Sequence, residues 1–111
     1  YPSQVAAMSA AGHRMGNHSD HHDHYPLLTN AQIAADLAAA EAAIVATGAR
    51  PACPLFRFPF GDRTTADIAA VNDAGYVPVR WTVDSLGWTG TERMTVQAVV
   101  DRVLAAATPG A

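Results

Sequence analysis

The sequence predicts an α/β protein whose strands run parallel. Three observations carry that expectation. Helical and strand-like patterns alternate along the chain. Gly or Pro punctuates most of the transitions. Residues able to do chemistry gather at the ends of strand-like segments, where parallel α/β sheets present their sites. The 111 residues allow one domain at most. Half of them are hydrophobic and only 15% are charged, which supports a packed core rather than disorder. A net charge of −3 and a pI of about 5.9 give no sign of a nucleic-acid footprint or of an anionic-membrane surface. No apolar run reaches the ~18–20 residues that span a bilayer. Cys53 is the single cysteine, which excludes an internal disulfide; it reads as a packed or inert thiol. No basic-then-apolar signal peptide opens the chain. The first residue is Tyr1 rather than Met, so the sequence reads as an excised piece and this absence says nothing about secretion.

The elements follow in order. Residues 2–11 predict a short helix, with Pro2 at its start, Gly12 as its stop, and Val5 and Met8 on one buried face. Residues 13–17 read as a short strand, weakened by Gly16 and Asn17. Residues 18–28 are loop-like. Residues 30–47 predict a helix capped by Thr29 or Asn30, with Ile33, Leu37 and Ile44 in helical spacing and Gly48 as its left-handed end. A connector, Arg50-Pro51-Ala52-Cys53-Pro54, leads to a strand over 55–58 that Pro59 stops. Residues 64–74 predict a helix with Thr64 as cap, Ile68 and Val71 inward and Gly75 after it. Residues 76–83, rich in Val, Tyr, Trp and Thr, are the clearest strand. After a Gly-containing loop over 84–93, residues 95–107 give a last helix with Thr95 as cap. Its apolar face carries Val96, Val99, Val100, Val103 and Leu104. Three parallel strands are few, because such a sheet needs both faces and its edges covered. Either the domain is very small, or strands on both sides are missing.

All five histidines fall between Gly12 and His24. His18 and His22 stand four residues apart with Ser19 directly after the first. Imidazoles at a fixed short spacing suit zinc or a similar borderline-soft divalent metal. The zinc-protease version of this spacing requires Glu after the first His, and Ser19 stands there instead. A catalytic zinc usually takes three protein ligands and keeps one position open. The third could come from Asp20, Asp23 or His24, or from outside the chain. A solvated His-rich loop remains the alternative. His21 and His24 read as loop residues, and His13 as a packed or exposed one.

Two further segments stand out. In Phe56-Arg57-Phe58-Pro59-Phe60-Gly61-Asp62, an Arg lies inside an apolar strand end. It either belongs to a site, since a buried guanidinium needs a carboxylate partner, or snorkels from an edge above a core of Phe58 and Phe60. In Asp84-Ser85-Leu86-Gly87-Trp88, the Asp lies at the end of the best strand, and the Trp lies in a Gly-flanked loop. Asp84 is either a site carboxylate or a helix cap, and Trp88 either walls a sugar-binding groove or covers the core.

Taken together and in this order, the three segments resemble the polysaccharide deacetylase family, the NodB-homology domain of carbohydrate esterase family 4. Gly16-Asn17-His18-Ser19-x-x-His22 resembles its His-[Ser/Thr]-x-x-His motif. Arg57-Phe58-Pro59-Phe60-Gly61 resembles its Arg-x-Pro-[Tyr/Phe] motif. Asp84-Ser85-Leu86-Gly87-Trp88 resembles its Asp-Ser-x-Asp-Trp motif. The resemblance implies part of a distorted (β/α) barrel, here about three βα units with parallel strands. It implies a divalent metal, zinc first with cobalt, manganese or nickel as alternatives, held by His18, His22 and an Asp. A metal-bound water would attack an acetyl carbonyl, most often the N-acetyl group of a glucosamine polymer such as chitin or peptidoglycan. The Phe60 backbone N–H would steady the oxyanion, Arg57 would orient the catalytic base, and Phe60 and Trp88 would line the substrate groove.

Two family motifs are absent, the early Asp-Asp pair and the final Leu-x-His. These supply the base, the third ligand and the acid, so the chain is expected to be a central piece that is inactive alone. Gly87 stands where the family often has an Asp that tunes the catalytic His; the tuning is either lost or supplied elsewhere, with Asp84 as the obvious candidate. The expected partner is a carbohydrate polymer, with no nucleic acid and no membrane span, and the expected location is secreted or cell envelope. Rival readings are an O-acetyl xylan esterase or small-amide hydrolase on the same scaffold, and a non-catalytic metal- or carbohydrate-binding module.

Overall fold

The structure, a computed structural model, describes residues 1–109. It forms two compact units, Tyr1–Arg80 and a second beginning at Trp81. The first opens with helix α1, Pro2–Ala10. Its buried residue is Ser9, while Met8 is half exposed, so the expected Val5–Met8 face does not form. A polar anchor decides this: the Ser9 hydroxyl accepts the Arg50 N–H at 2.9 Å. Gly12, at a φ of 91°, turns the chain away.

The strand expected over 13–17 reduces to one residue. Asn17 makes a parallel bridge to Phe56, donating its N–H to the Leu55 carbonyl and accepting from Arg57 N–H. The next residues leave the sheet to form the histidine loop. That loop ends in a 3-10 turn, Tyr25–Leu27. Tyr25 is fully buried, which the polar surroundings of 18–28 did not announce.

Helix α2 spans Asn30–Ala46. The Thr29 hydroxyl accepts Gln32 N–H, and the Gln32 side chain accepts Thr29 N–H, a reciprocal cap of two otherwise orphaned donors. Ile33 and Leu37 are buried, and Gly48 ends the helix at positive φ. The connector then delivers strand β1, Leu55–Phe56, followed by a 3-10 turn, Pro59–Gly61. Helix α3, Thr65–Asp73, repeats the reciprocal cap with Thr64 and Asp67, and buries Val71.

Strand β2, Val77–Pro78, pairs in parallel with β1, Leu55 opposite Val77 and Phe56 opposite Pro78. The strand expected over 76–83 is thus much shorter. Its β-branched residues favour extension, but a ladder needs a partner, and β1 offers only two residues. Asn17, β1 and β2 therefore lie side by side in chain order, with α2 and α3 as the crossovers. The parallel βα arrangement is present, on less strand than expected. Where the helices meet the sheet, Tyr25, Phe56 and Phe58 pack with ring centroids 4.9–5.4 Å apart, among Ile33, Leu37, Val71 and Tyr76.

In the second unit, residues Gly87–Thr89 form a 3-10 turn, and helix α4 spans Val96–Ala106. Thr95 caps α4 by accepting Ala98 N–H. The apolar stripe is where the spacing put it, yet Val96, Val100 and Leu104 on it are exposed. Among the described residues no helix is long and apolar enough to cross a membrane.

The core predicts the ranking of two substitutions. Phe56→Ala, at a fully buried ring, is expected to lower stability by about 3–5 kcal/mol. Thr29→Ala, which removes a cap, is expected to cost about 1 kcal/mol. Urea unfolding followed by circular dichroism checks both, and a larger loss at Thr29 would contradict this picture of the core.

Candidate active site

The histidine loop leaves the sheet at Asn17 and is shaped by side-chain oxygens. Asn17 is buried and donates to the Leu37 carbonyl at 3.0 Å. Its Oδ1 accepts Ser19 N–H at 2.9 Å. The Ser19 hydroxyl accepts His22 N–H at 2.8 Å. Asp36 Oδ1, reaching across from α2, accepts the N–H groups of Asp20 and His21 at 3.2 and 3.1 Å. Four successive backbone donors, 19 through 22, therefore each meet a side-chain oxygen. This offsets backbone strain, because Ser19 and His22 hold φ values of 75° and 60°. Such left-handed non-glycine residues cost roughly 1–2 kcal/mol each.

The loop brings His18 and His22 together, with ring centroids 5.0 Å apart. His18 Nδ1 donates to the Arg57 carbonyl at 2.6 Å. A carbonyl only accepts, so Nδ1 carries the proton and Nε2 keeps its lone pair. Burial pushes the His18 pKa down, and the nearby Arg57 and His22 charges add to this against the opposing pull of the carbonyl. A neutral imidazole whose far nitrogen is fixed by a backbone carbonyl is the form in which His binds metals. His18 is thus in the form that could serve as a metal ligand, with the His22 ring beside it. Among the described residues no group of three or more His, Cys, Asp or Glu gathers to hold a metal, so Asp20, Asp23 and His24 do not complete the set.

His21 turns toward Asp36, with Nδ1 3.1 Å from Oδ1, and that bond raises its pKa. His24 bonds Asp62 at 3.0 Å and stacks on Phe60, centroids 4.1 Å apart and planes 10° from parallel. Phe60 also meets the His22 ring edge-on at 4.6 Å. Phe60 is 57% exposed and itself left-handed, with a φ of 58°. It is not core, although the edge reading of Arg57 placed it there beside the buried Phe58. Arg57 is exposed, so the buried-guanidinium reading of that strand end gives way. His13 is exposed as well.

The second unit carries Asp84 and Trp88. Asp84 Oδ1 accepts Leu86 N–H at 2.9 Å, shaping a turn, and its backbone carbonyl accepts from Arg102. Trp88 is 77% exposed, so its indole does not cover a core.

Sequence reasoning passed over Asp36. It lies within the alanine-rich helix α2 and is only 7% exposed. Its Oδ2 accepts the Tyr25 hydroxyl at 2.8 Å. Burial alone would raise its pKa, but the bonds from Tyr25, the His21 backbone, Ser19 and His21 outweigh burial and hold it below the ordinary value. The one available signal was its spacing from Ile33 and Ala40, three residues before it and four after, which puts it on the buried face of the helix.

A parallel βα arrangement with a paired-histidine loop beside an Arg-x-Pro-Phe turn defines the NodB-type class of carbohydrate-active domain. The family model for polysaccharide deacetylases matches residues 1–79, and the chain belongs to that family. It is 31% identical to a chitooligosaccharide deacetylase of Rhizobium leguminosarum bv. trifolii, over 100% of this chain and 50% of the relative. A chitooligosaccharide deacetylase of Azorhizobium caulinodans is 27% identical, over 99% of this chain and 51% of the relative. Among solved structures, a family 4 carbohydrate esterase of Streptomyces lividans in complex with acetate superposes with a TM-score of 0.78 at 32% identity. That match covers 92% of this chain and 51% of the esterase. The chain spans about half the length of the curated relatives it matches.

Asp36 gives the site a predicted acid limit. Its folded pKa lies below the unfolded 3.8, so its contribution is complete above 3.8 and is lost as pH falls through the lower folded value. The stability gap between the natural protein and Asp36→Asn should be widest between about pH 5 and 6, narrow below about pH 4, and lose its His21 part as pH rises through the raised His21 pKa. Urea unfolding at several pH values measures it; a gap that widens as pH falls below about 4 would contradict the assignment.

Proposed function

We propose that this chain is the central part of a polysaccharide deacetylase domain that hydrolyses the acetamide of N-acetylated amino-sugar polymers, of the chitin, peptidoglycan or poly-N-acetylglucosamine type. The observation that carries the reading is the His18 bond to the Arg57 carbonyl, which readies Nε2 as a ligand beside His22. The names of the chitooligosaccharide deacetylases similar to the chain support the substrate class. His18 and His22 hold the divalent metal, zinc first with cobalt, manganese or nickel as alternatives. Bound there, such an ion supplies Lewis acidity, acidifying water and polarising the acetyl carbonyl.

The chain's own residues do the rest of the positioning. The Phe60 N–H donates to the oxygen that gains charge, where a preorganised donor is worth roughly 3–4 kcal/mol. Arg57 orients the base carboxylate, which an Asp-Asp segment outside these 111 residues supplies with the third ligand. The acid that protonates the leaving amine comes from a Leu-x-His segment, also outside them, and Asp84 tunes it in place of the Asp that Gly87 replaces. Phe60 presents an exposed ring face to the sugar, and Trp88 of the second unit is likewise an exposed ring on which a sugar can stack. A polymeric substrate places the protein in the secreted or cell-envelope compartment. O-deacetylation of a xylan-type ester is the second reading, favoured by the esterase with bound acetate among the similar structures. Acetate release from chitin-type and xylan-type oligomers separates the two.

In the full-length protein, His18→Ala and His22→Ala should each lower metal-dependent acetate release by about 100-fold or more, whereas His21→Ala and His24→Ala should cost less than about 10-fold. Equal losses across all four would favour a diffuse histidine patch and overturn the two-ligand assignment.

A further inference from the structure

Asp36 takes no part in the chemistry proposed above, and it contacts neither His18 nor His22 directly. It nevertheless holds the two residues between Ser19 and His22 by their backbone. One carboxylate oxygen accepts the Asp20 and His21 N–H groups and lies 3.1 Å from the His21 ring nitrogen. The other accepts the Tyr25 hydroxyl, so the carboxylate itself cannot swing away. The loop on either side of these amides is left-handed, at Ser19 and at His22. Without an acceptor at this spot, the two N–H groups would face a buried carboxylate's empty place, and the loop would relax toward right-handed geometry. Such relaxation moves the His22 ring relative to His18, which stays tied to the Arg57 carbonyl.

We propose that Asp36 is a positioning residue that sets the affinity of the His18–His22 pair for a divalent metal by fixing the peptide segment between them. The proposal rests on reading His18 and His22 as metal ligands. The bonds are charge-assisted and therefore stronger than neutral ones, and the residue behind them sits on a rigid seventeen-residue helix. The metal loop thus inherits its shape from α2 rather than from its own polar, exposed sequence.

Zinc binding to the metal-stripped full-length protein tests this, read by titration calorimetry at a temperature where every variant is folded. Asp36→Ala should weaken zinc by about 10–100-fold, the range found when supporting groups around metal ligands are removed. Asp36→Asn keeps a neutral acceptor oxygen and should weaken zinc less, by about 5-fold. Tyr25→Phe leaves the acceptor of the Asp20 and His21 amides in place but frees the carboxylate to turn, and should weaken zinc less than Asp36→Ala does, by about 2–5-fold, while also lowering the melting temperature. A purely structural role would instead lower the melting temperatures of the Asp36 and Tyr25 variants and leave zinc affinity unchanged in all of them. Unchanged affinity in Asp36→Ala, or in Asp36→Asn if the alanine variant does not fold, overturns the proposal. His18→Ala separates the two claims. If it abolishes zinc binding while the Asp36 variants bind normally, only the positioning role falls. If it too binds zinc normally, the ligand assignment falls and the positioning role with it.

Discussion

Everything at this site depends on where four consecutive backbone N–H groups go. Residues 19 to 22 lie in no helix and no sheet, so their donors have no ladder to join. Asn17, Asp36 and Ser19 supply the acceptors instead. This explains why a hydroxyl follows the first histidine: Ser19 is there to receive the His22 amide, closing the turn that returns the second imidazole to the first. It also explains why the loop needs a carboxylate from a distant helix. A short polar segment has no apolar surface with which to hold its own shape, so its conformation is borrowed from the packed elements around it.

The packed elements are joined to the loop by a second polar path. Asn17 donates to the Leu37 carbonyl and lies 3.4 Å from the Tyr76 hydroxyl. Tyr76 donates in turn to Glu41 at 2.8 Å, and the other Glu41 oxygen accepts Ala52 N–H. Burial raises the Tyr76 pKa to about 12, which keeps the phenol a donor across the physiological range. The sheet, α2 and the connector before β1 are thus cross-linked beneath the histidines by groups that all have partners. Among the described residues no buried side-chain nitrogen or oxygen lacks one.

Local signals were legible in the sequence, and long-range ones were not. Thr29 with Gln32 and Thr64 with Asp67 mark their helix starts by spacing alone, and Gly48 and Gly75 mark the ends. Ile33, Leu37 and Val71 were placed correctly because helical periodicity reports burial directly. Residues 76–83 were overextended because β-propensity records a fit to a pleated surface, whereas a strand exists only opposite a partner. Tyr25 and Asp36 escaped notice for a related reason. Their roles come from each other and from residues 15 or more positions away, and a polar loop and an alanine-rich helix offer no periodic hint of the pairing. The motif histidines were legible through resemblance; the oxygen cage that shapes them was legible only in three dimensions.

The bond from His18 to position 57 has an evolutionary consequence. Its acceptor is a main-chain carbonyl, which every amino acid possesses. Mutation can therefore exchange the side chain at position 57 without removing the group that selects the His18 tautomer. What position 57 does for His18 is written in the path of the backbone and not in the identity of the residue. A relative that has lost the guanidinium could therefore keep the same imidazole tautomer, because the path of the backbone alone presents it.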